Sequence, residues 1–410
     1  MSTPVTSPAL PAAPAAPPPA WIEIDLDALA ENHARLTGLV RAHNPAAEIA
    51  GVIKADGYGL GADIVGPALA RAGAPALFVA HLSEGAALRR ALRADPNPAR
   101  HALPVYILNG TAEGERADFL AFDLRPVLNG PDDLDRWTRA GQAQGGPLPA
   151  ALHIDTGMSR LGFDEAGFKA LAADPARLGG VDIRITMSHL ACADDPTHPL
   201  NRRQLDRFRA VVAAVGRGRL SLANSSGLFL GPDFHFDLGR PGVALYGVNP
   251  VPGRPNPMIP VVRLKARVLQ VRTIDSFESV GYGAAARARP GMRVATLAIG
   301  YADGWPWSAA GKGEVVIAGH RAPILGRVSM DLVTVDVSTL PESLIHGGAV
   351  AELIGDHRDI DALAEDAGTI GYEILTRLGR RYARQPMASG QTQVYPIGVP
   401  TPQTEVDPAP

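Results

Sequence analysis

The chain has 410 residues, with 39 Lys and Arg against 42 Asp and Glu, for a formal net charge of −3. That balance lacks the basic excess of a nucleic-acid binder, and no apolar run reaches the ~18 residues of a membrane helix. A single cysteine excludes an intrachain disulfide and a cysteine-based zinc cage.

Residues 1–20 are mostly Pro, Ala, Ser and Thr. They have neither the basic start nor the apolar centre of a secretory signal, and read as a disordered or polyproline-like tail. Residues 399–410 read the same way, and a reducing cytoplasm is the expected location. From Asp25 to Ala42, Leu26, Leu29, Leu36, Leu39 and Val40 recur at helical spacing. Short apolar runs follow at 48–55, 76–79, 105–108, 124–128, 150–154, 183–188 and 220–223, with a weaker eighth between 236 and 248. Helical patterns at 62–72, 84–92, 132–143 and 202–215 fill most gaps. Eight strand–helix units predict a (β/α)8 TIM-like barrel over 21–250, with a doubly wound sheet as the alternative. Beyond Pro250, Val262, Leu264, Ala266 and Val268 alternate with Arg263, Lys265 and Arg267, and Val333, Val335 and Val337 alternate with Thr334, Asp336 and Ser338. This period of two predicts a mostly β domain over 251–398, interrupted by a helix-like stretch at 359–378.

Barrel active sites form at the C-terminal ends of the strands. Lys54 stands there after the first run, His153 and Asp155 after the fifth with Arg160 beyond, His189 after the sixth, Asn224 and Ser225 after the seventh, and Arg240 and Gly242 at the eighth. A lysine flanked by Val52, Ile53 and Ala55 is set for burial, and burial favours its neutral amine, the form an imine to an aldehyde requires. The turn at 224–227 and Gly242 suit phosphate, which barrels often hold after strands 7 and 8. Each residue alone also has an ordinary reading as a surface charge, a packed histidine or a plain turn. Two other patterns are weak. Gly57, Gly59 and Ala62 with Glu84 imitate a dinucleotide fingerprint. His189, Cys192 and His198 match no usual zinc spacing, so no metal is expected.

Together these residues are similar to the alanine racemases, a pyridoxal-phosphate (PLP) family. V-I-K-A-D-G-Y-G-L-G at 52–61, H-I-D-T-G-M-S-R-L-G-F at 153–163, S-H-L-A-C-A-D at 188–194, A-N-S-S-G at 223–227, R-P-G-V-A-L-Y-G at 240–247, V-G-Y-G-A at 280–284, I-G-Y-A-D-G at 299–304 and G-R-V-S-M-D at 326–331 follow the family's order. The resemblance implies that Lys54 carries PLP as an imine. It implies that Tyr58, Ser225, Gly242, Val243 and Tyr372 surround the phosphate, with Asn224 beside it, and that Arg240 faces the ring nitrogen. Arg160 would meet the ring's phenolic oxygen and the substrate carboxylate. Tyr282 would be the second base, donated by the partner of a homodimer, and His189 would hydrogen-bond toward Tyr282 and Arg240. Tyr301 and Met330 would shape the substrate site from the partner's side. The implied activity interconverts L- and D-alanine and supplies D-alanine for peptidoglycan. A broader amino-acid racemase, a decarboxylase of related build and a non-catalytic PLP-binding protein are the alternatives. At His153 many family members have a carbamylated lysine bracing the active-site arginine. Here a bound chloride, or His153 through a water, is expected to brace Arg160.

Overall fold

The computed structural model describes residues 18–389 and 391–392. Its first strand, β1 (Ala20–Asp25), precedes the barrel and does not join it. The barrel begins with β2 (Glu48–Ile49) and β3 (Gly51–Val52), one run interrupted at Ala50. It continues through β4 (Leu77–Val79), β5 (Val105–Ile107), β6 (Leu124–Leu128), β7 (Leu148–His153), β8 (Val181–Met187) and β9 (Arg219–Ser221), all parallel to their neighbours. The last strand, β10 (Leu238–Gly239), pairs with β2. It is tied to β9 by Asp237 N donating to Leu220 O at 3.0 Å and Arg240 N donating to Ala223 O at 2.9 Å. These bonds close the ring and decide for the barrel over the doubly wound sheet. Its strands are short and rich in Val, Ile and Leu because both faces are covered, the inner by the barrel core and the outer by helices.

The helices begin and end where their chemistry directs. Asp25 Oδ1 accepts from Ala28 N at 2.9 Å and starts Leu26–Arg41. Pro131 and Pro199 open Pro131–Gln144 and Pro199–Val215 at a position where no amide donor is needed. Gly145, left-handed at φ 85°, closes the former.

From β11 (Val262–Thr273) the chain turns antiparallel. β12 (Glu278–Val280) and β13 (Ala286–Ala288) form a separate hairpin. β14 (Arg293–Leu297), β15 (Glu314–Ile317), β16 (His320–Pro323), β17 (Val333–Asp336), β18 (Val350–Ile354), β19 (Ala383–Ala388) and β20 (Gln391–Thr392) complete a larger sheet around β11. One continuous apolar core runs from Ile22 through the barrel to Tyr382, so no polar seam divides the two halves.

Two boundaries differ from expectation. The sequence places Ala20 in the tail and Trp21–Asp25 in the barrel, yet β1 lies in the C-terminal sheet between β11 and β19. Its backbone N–H and C=O groups are paired along both edges, with β11 on one and β19 on the other. The helix-like stretch at 359–378 is two helices, Ile360–Ala367 and Gly371–Thr376, because Gly368 at φ 67° ends the first. Residues 1–17 and 399–410 of the expected tails lie outside the described residues.

Candidate active site

The C-terminal ends of the barrel strands enclose a cavity of about 350 Å³. The first wall is built by a strained turn. The strand expected to reach residue 55 stops at Val52, and Ala55, Asp56, Gly57 and Tyr58 adopt φ of 54°, 54°, 64° and 56°. A left-handed turn costs about 1–2 kcal/mol per non-glycine residue, so neighbouring groups must hold it. Ala55 N donates to Glu84 Oε1 at 2.7 Å, while Glu84 Oε2 accepts from Ala80 N at 2.7 Å and His81 N at 3.1 Å. Asp56 Oδ1 accepts from Ala62 N at 2.8 Å. Arg384, on β19, donates twice to Gly59 O, at 3.1 and 2.6 Å. Reversing the chain this way brings both Lys54 and Tyr58 to the cavity wall.

Next to Tyr58 the wall is a polar cradle. Ser225 Oγ accepts from Gly242 N at 3.0 Å and Ala244 N at 3.2 Å. At Gly242 a Cβ would sit 2.0 Å from Tyr58 Oη, so only glycine fits beside that ring. Tyr58 packs on Tyr246 with ring centroids 4.7 Å apart and faces Tyr372 at 6.3 Å. Asn224 is fixed by accepting from Gly227 N at 2.9 Å and donating to Leu190 O at 3.3 Å.

Lys54, Arg160 and Arg240 line the cavity, and among the described residues no carboxylate does. Burial and the Arg160 charge lower the Lys54 amine, partly opposed by Glu84. Burial draws the Arg240 guanidinium down to about 9, which leaves it charged at neutral pH. It donates to Ser188 O at 2.6 Å and to Ser221 Oγ. Burial raises the phenol of Tyr58, and burial with Asp194 and Asp361 nearby pushes that of Tyr372 up to about 12. Both tyrosines are therefore proton donors at neutral pH. The site suits a ligand with several negative charges and a group able to condense with an amine.

Comparison with known proteins agrees with this geometry. Residues 24–250 match the alanine racemase N-terminal domain and residues 261–386 the alanine racemase C-terminal domain. The chain belongs to the alanine racemase family. It is 49% identical over 366 residues to the alanine racemase of Rhodospirillum rubrum, covering 89% of this chain and 95% of that one. It is 46% identical to the catabolic alanine racemase of Mesorhizobium japonicum over 89% of this chain and 92% of that one. The crystal structure of alanine racemase from Bartonella henselae, with covalently bound pyridoxal phosphate, superposes with a TM-score of 0.83 at 38% identity, covering 90% of this chain and all of that one.

The family motifs fall into two places. Lys54, Tyr58, Arg160, His189, Asn224, Ser225, Arg240, Gly242 and Tyr372 line one cavity, and Val243 is buried directly behind it. Tyr282, Tyr301 and Met330 do not reach that cavity. They are 71%, 44% and 53% exposed on the β domain. There they belong together. Tyr301 N donates to Ser329 O at 3.0 Å, Ala302 N donates to Met330 O at 3.0 Å, and a Cβ at Gly326 would touch Val280 O at 2.9 Å. Arg381 spans the two loops, donating to Asp303 Oδ1 at 2.6 Å and Asp331 Oδ1 at 2.7 Å.

Other expectations need correction or addition. No hydrogen bond joins His189 to Arg240 among the described residues; Arg240 reaches past it to Ser188 and Ser221. The glycines of the apparent dinucleotide fingerprint belong to the left-handed turn, and Glu84 clamps that turn. Among the described residues no cluster of three His, Cys, Asp or Glu could hold a metal. Sequence reasoning missed Asn109, which lines the cavity, and Asn129, which holds His153. Both follow barrel strands, so the strand-end rule applied to every run would have found them. Nothing local flags Arg384, which comes from a strand 325 residues from its partner.

Proposed function

We propose that the chain interconverts L- and D-alanine with pyridoxal phosphate held in the barrel cavity, supplying D-alanine for cell-wall peptide. The observation that carries this reading is the half-buried Lys54 amine in a cavity with two arginines and, among the described residues, no carboxylate. The residues present fit the cofactor. Its phosphate needs donors and close backbone approach. Ser225, Tyr58 and Tyr372 supply hydroxyls, with Asn224 beside them, and the Gly242–Tyr58 contact leaves no room for a side chain. Gly242 and Val243 would contribute backbone there. Lys54 would bind the cofactor covalently. Bound there, PLP supplies the electron sink that makes the substrate's Cα proton removable.

The chain's own groups direct the outcome. Arg240 can only donate, so it would hold the ring nitrogen in its unprotonated form. Arg160 orients the substrate carboxylate. Racemisation needs a base on each face of Cα. Lys54 is the base on one. Tyr58 and Tyr372 are the tyrosines lining the cavity, and both are assigned to phosphate. Tyr282, exposed at a hairpin tip, suits a base donated into the partner subunit's cavity, with Tyr301 and Met330 beside it. The working unit on this reading is a homodimer. A reducing cytoplasm suits a chain with one cysteine.

The test is incubation of purified protein with L-alanine, followed by circular dichroism. Ellipticity should decay to zero without release of CO2, and borohydride should fix the cofactor on Lys54 alone. Constant ellipticity, or labelling at another lysine, would defeat the reading.

A further inference from the structure

His153 closes β7 and lines the cavity, and Asn129 determines which of its ring nitrogens carries the proton. Asn129 Nδ2 donates to Leu108 O at 2.9 Å and Val127 O at 3.2 Å. Two carbonyls at one end of an amide admit a single orientation, with the NH2 toward them. Asn129 Oδ1 therefore faces His153 Nδ1, 2.7 Å away. An amide oxygen only accepts, so Nδ1 must hold the proton, and the neutral ring carries its lone pair on Nε2.

The loop after β7 turns back over that ring edge. Asp155 gathers the N–H groups of Gly157, Met158 and Ser159 at 2.8 Å each. Phe163 N donates to His153 O at 2.8 Å and Asp155 N to Phe163 O at 2.9 Å. A Cβ at Gly162 would lie 3.2 Å from His153 Cδ2, the carbon bonded to Nε2. Arg160 is carried on this returning loop and lines the same cavity. Arg240, the other nearby arginine, is anchored by one N–H of each terminal nitrogen to Ser221 and Ser188.

We propose that His153 is a positioning residue for Arg160: its Nε2 lone pair, oriented by Asn129, accepts from the Arg160 guanidinium while that arginine holds the substrate carboxylate, so no bound anion is required. This rests on the proposed function for what Arg160 binds. The groups facing His153 are Arg240 after β10, His189 after β8, and Asp155 and Arg160 on its own loop. Burial, with Arg240 and Arg160 outweighing Asp155, lowers the imidazole to about 4, so the acceptor form persists at neutral pH.

The test uses the full-length holoenzyme labelled with 15N-histidine, the His153 signal being identified by its loss in His153→Gln. Nε2 should resonate as an unprotonated nitrogen and Nδ1 as a protonated one at neutral pH. Asn129→Asp should turn the ring into an imidazolium and make Nε2 a donor. That variant and His153→Ala should each raise KM for alanine about tenfold with a smaller change in kcat, since a hydrogen bond to a charged group is lost. His153→Gln, which restores an acceptor oxygen, should recover part of that loss. A protonated Nε2 in the wild type, an unchanged KM in His153→Ala, or a KM that follows added halide or bicarbonate would overturn the proposal. A wild type that shows the expected tautomer but does not racemise alanine would sink the functional reading, and the kinetic role of His153 with it.

Discussion

Gly242 shows how one missing side chain organises the cavity. Tyr58 Oη occupies the place of its Cβ, so a side chain has no room there. Because that contact involves a buried ring packed against Tyr246, a methyl group there has to displace the ring. Gly242→Ala should therefore cost about 1–3 kcal/mol of stability and weaken PLP retention. Urea unfolding of the PLP-free protein reads the first, and PLP titration by absorbance the second. A variant with unchanged retention would remove the glycine from the cofactor cradle. The glycine itself was legible in the sequence, as was its setting after Arg240 and Pro241. The contact that requires it was not, since Tyr58 is 184 residues earlier and reaches the site only through a left-handed turn.

At the scale of elements, that turn is the feature least visible in the sequence. Residues 48–55 read as one strand because they are mostly apolar, and Ala55 has no intrinsic taste for positive φ and Asp56 only a modest one. The left-handed path is imposed from outside by Glu84, Asp56 and Arg384. Arg384 makes its contacts to backbone carbonyls of Gly59, Leu378, Gly379 and Tyr382, so it joins β19 to the lysine segment directly. Arg384→Met keeps the apolar stem but leaves Gly59 O unpaired. It should cost about 1–3 kcal/mol and speed amide exchange in residues 55–61 before the rest of the barrel. Uniform exchange across the barrel would contradict a local clamp. The barrel strands themselves were legible because each is a short apolar run buried on both faces, and their length rather than their register carries the signal.

The whole molecule offers two further expectations. The first concerns assembly. Lys54 and Tyr282 stand on different regions of one chain, the former lining the cavity and the latter exposed on the hairpin. Lys54→Ala and Tyr282→Phe should each abolish racemisation, and mixed, exchanged subunits should regain up to about a quarter of wild-type activity, because half the dimers are hybrids with one intact site of two. No recovery after demonstrated exchange would exclude shared sites. The second concerns acid. Burial lowers the imidazoles of His33, His153, His189 and His235, to about 4 for His153. Unfolded, each titrates near 6.5, so between the folded and unfolded values the unfolded chain binds more protons. Stability is then complete above about pH 6.5 and falls as pH drops, by up to about 1.4 kcal/mol per histidine per pH unit inside that window. The urea midpoint should decrease from pH 7 to 5, and less steeply in His153→Gln. A midpoint flat across this range would oppose the buried neutral state of these rings.

Residue order alone determined the barrel, the β domain, the family and the list of candidate site residues, because strand-end polar groups and eight ordered motifs are local features that survive without coordinates. Only the tertiary structure decided that β1 belongs to the C-terminal sheet, that the lysine segment turns left-handed, and that the motifs divide between a buried cavity and an exposed hairpin face. Those outcomes depend on contacts between residues hundreds of positions apart, and such contacts exist only once the chain has closed its ring.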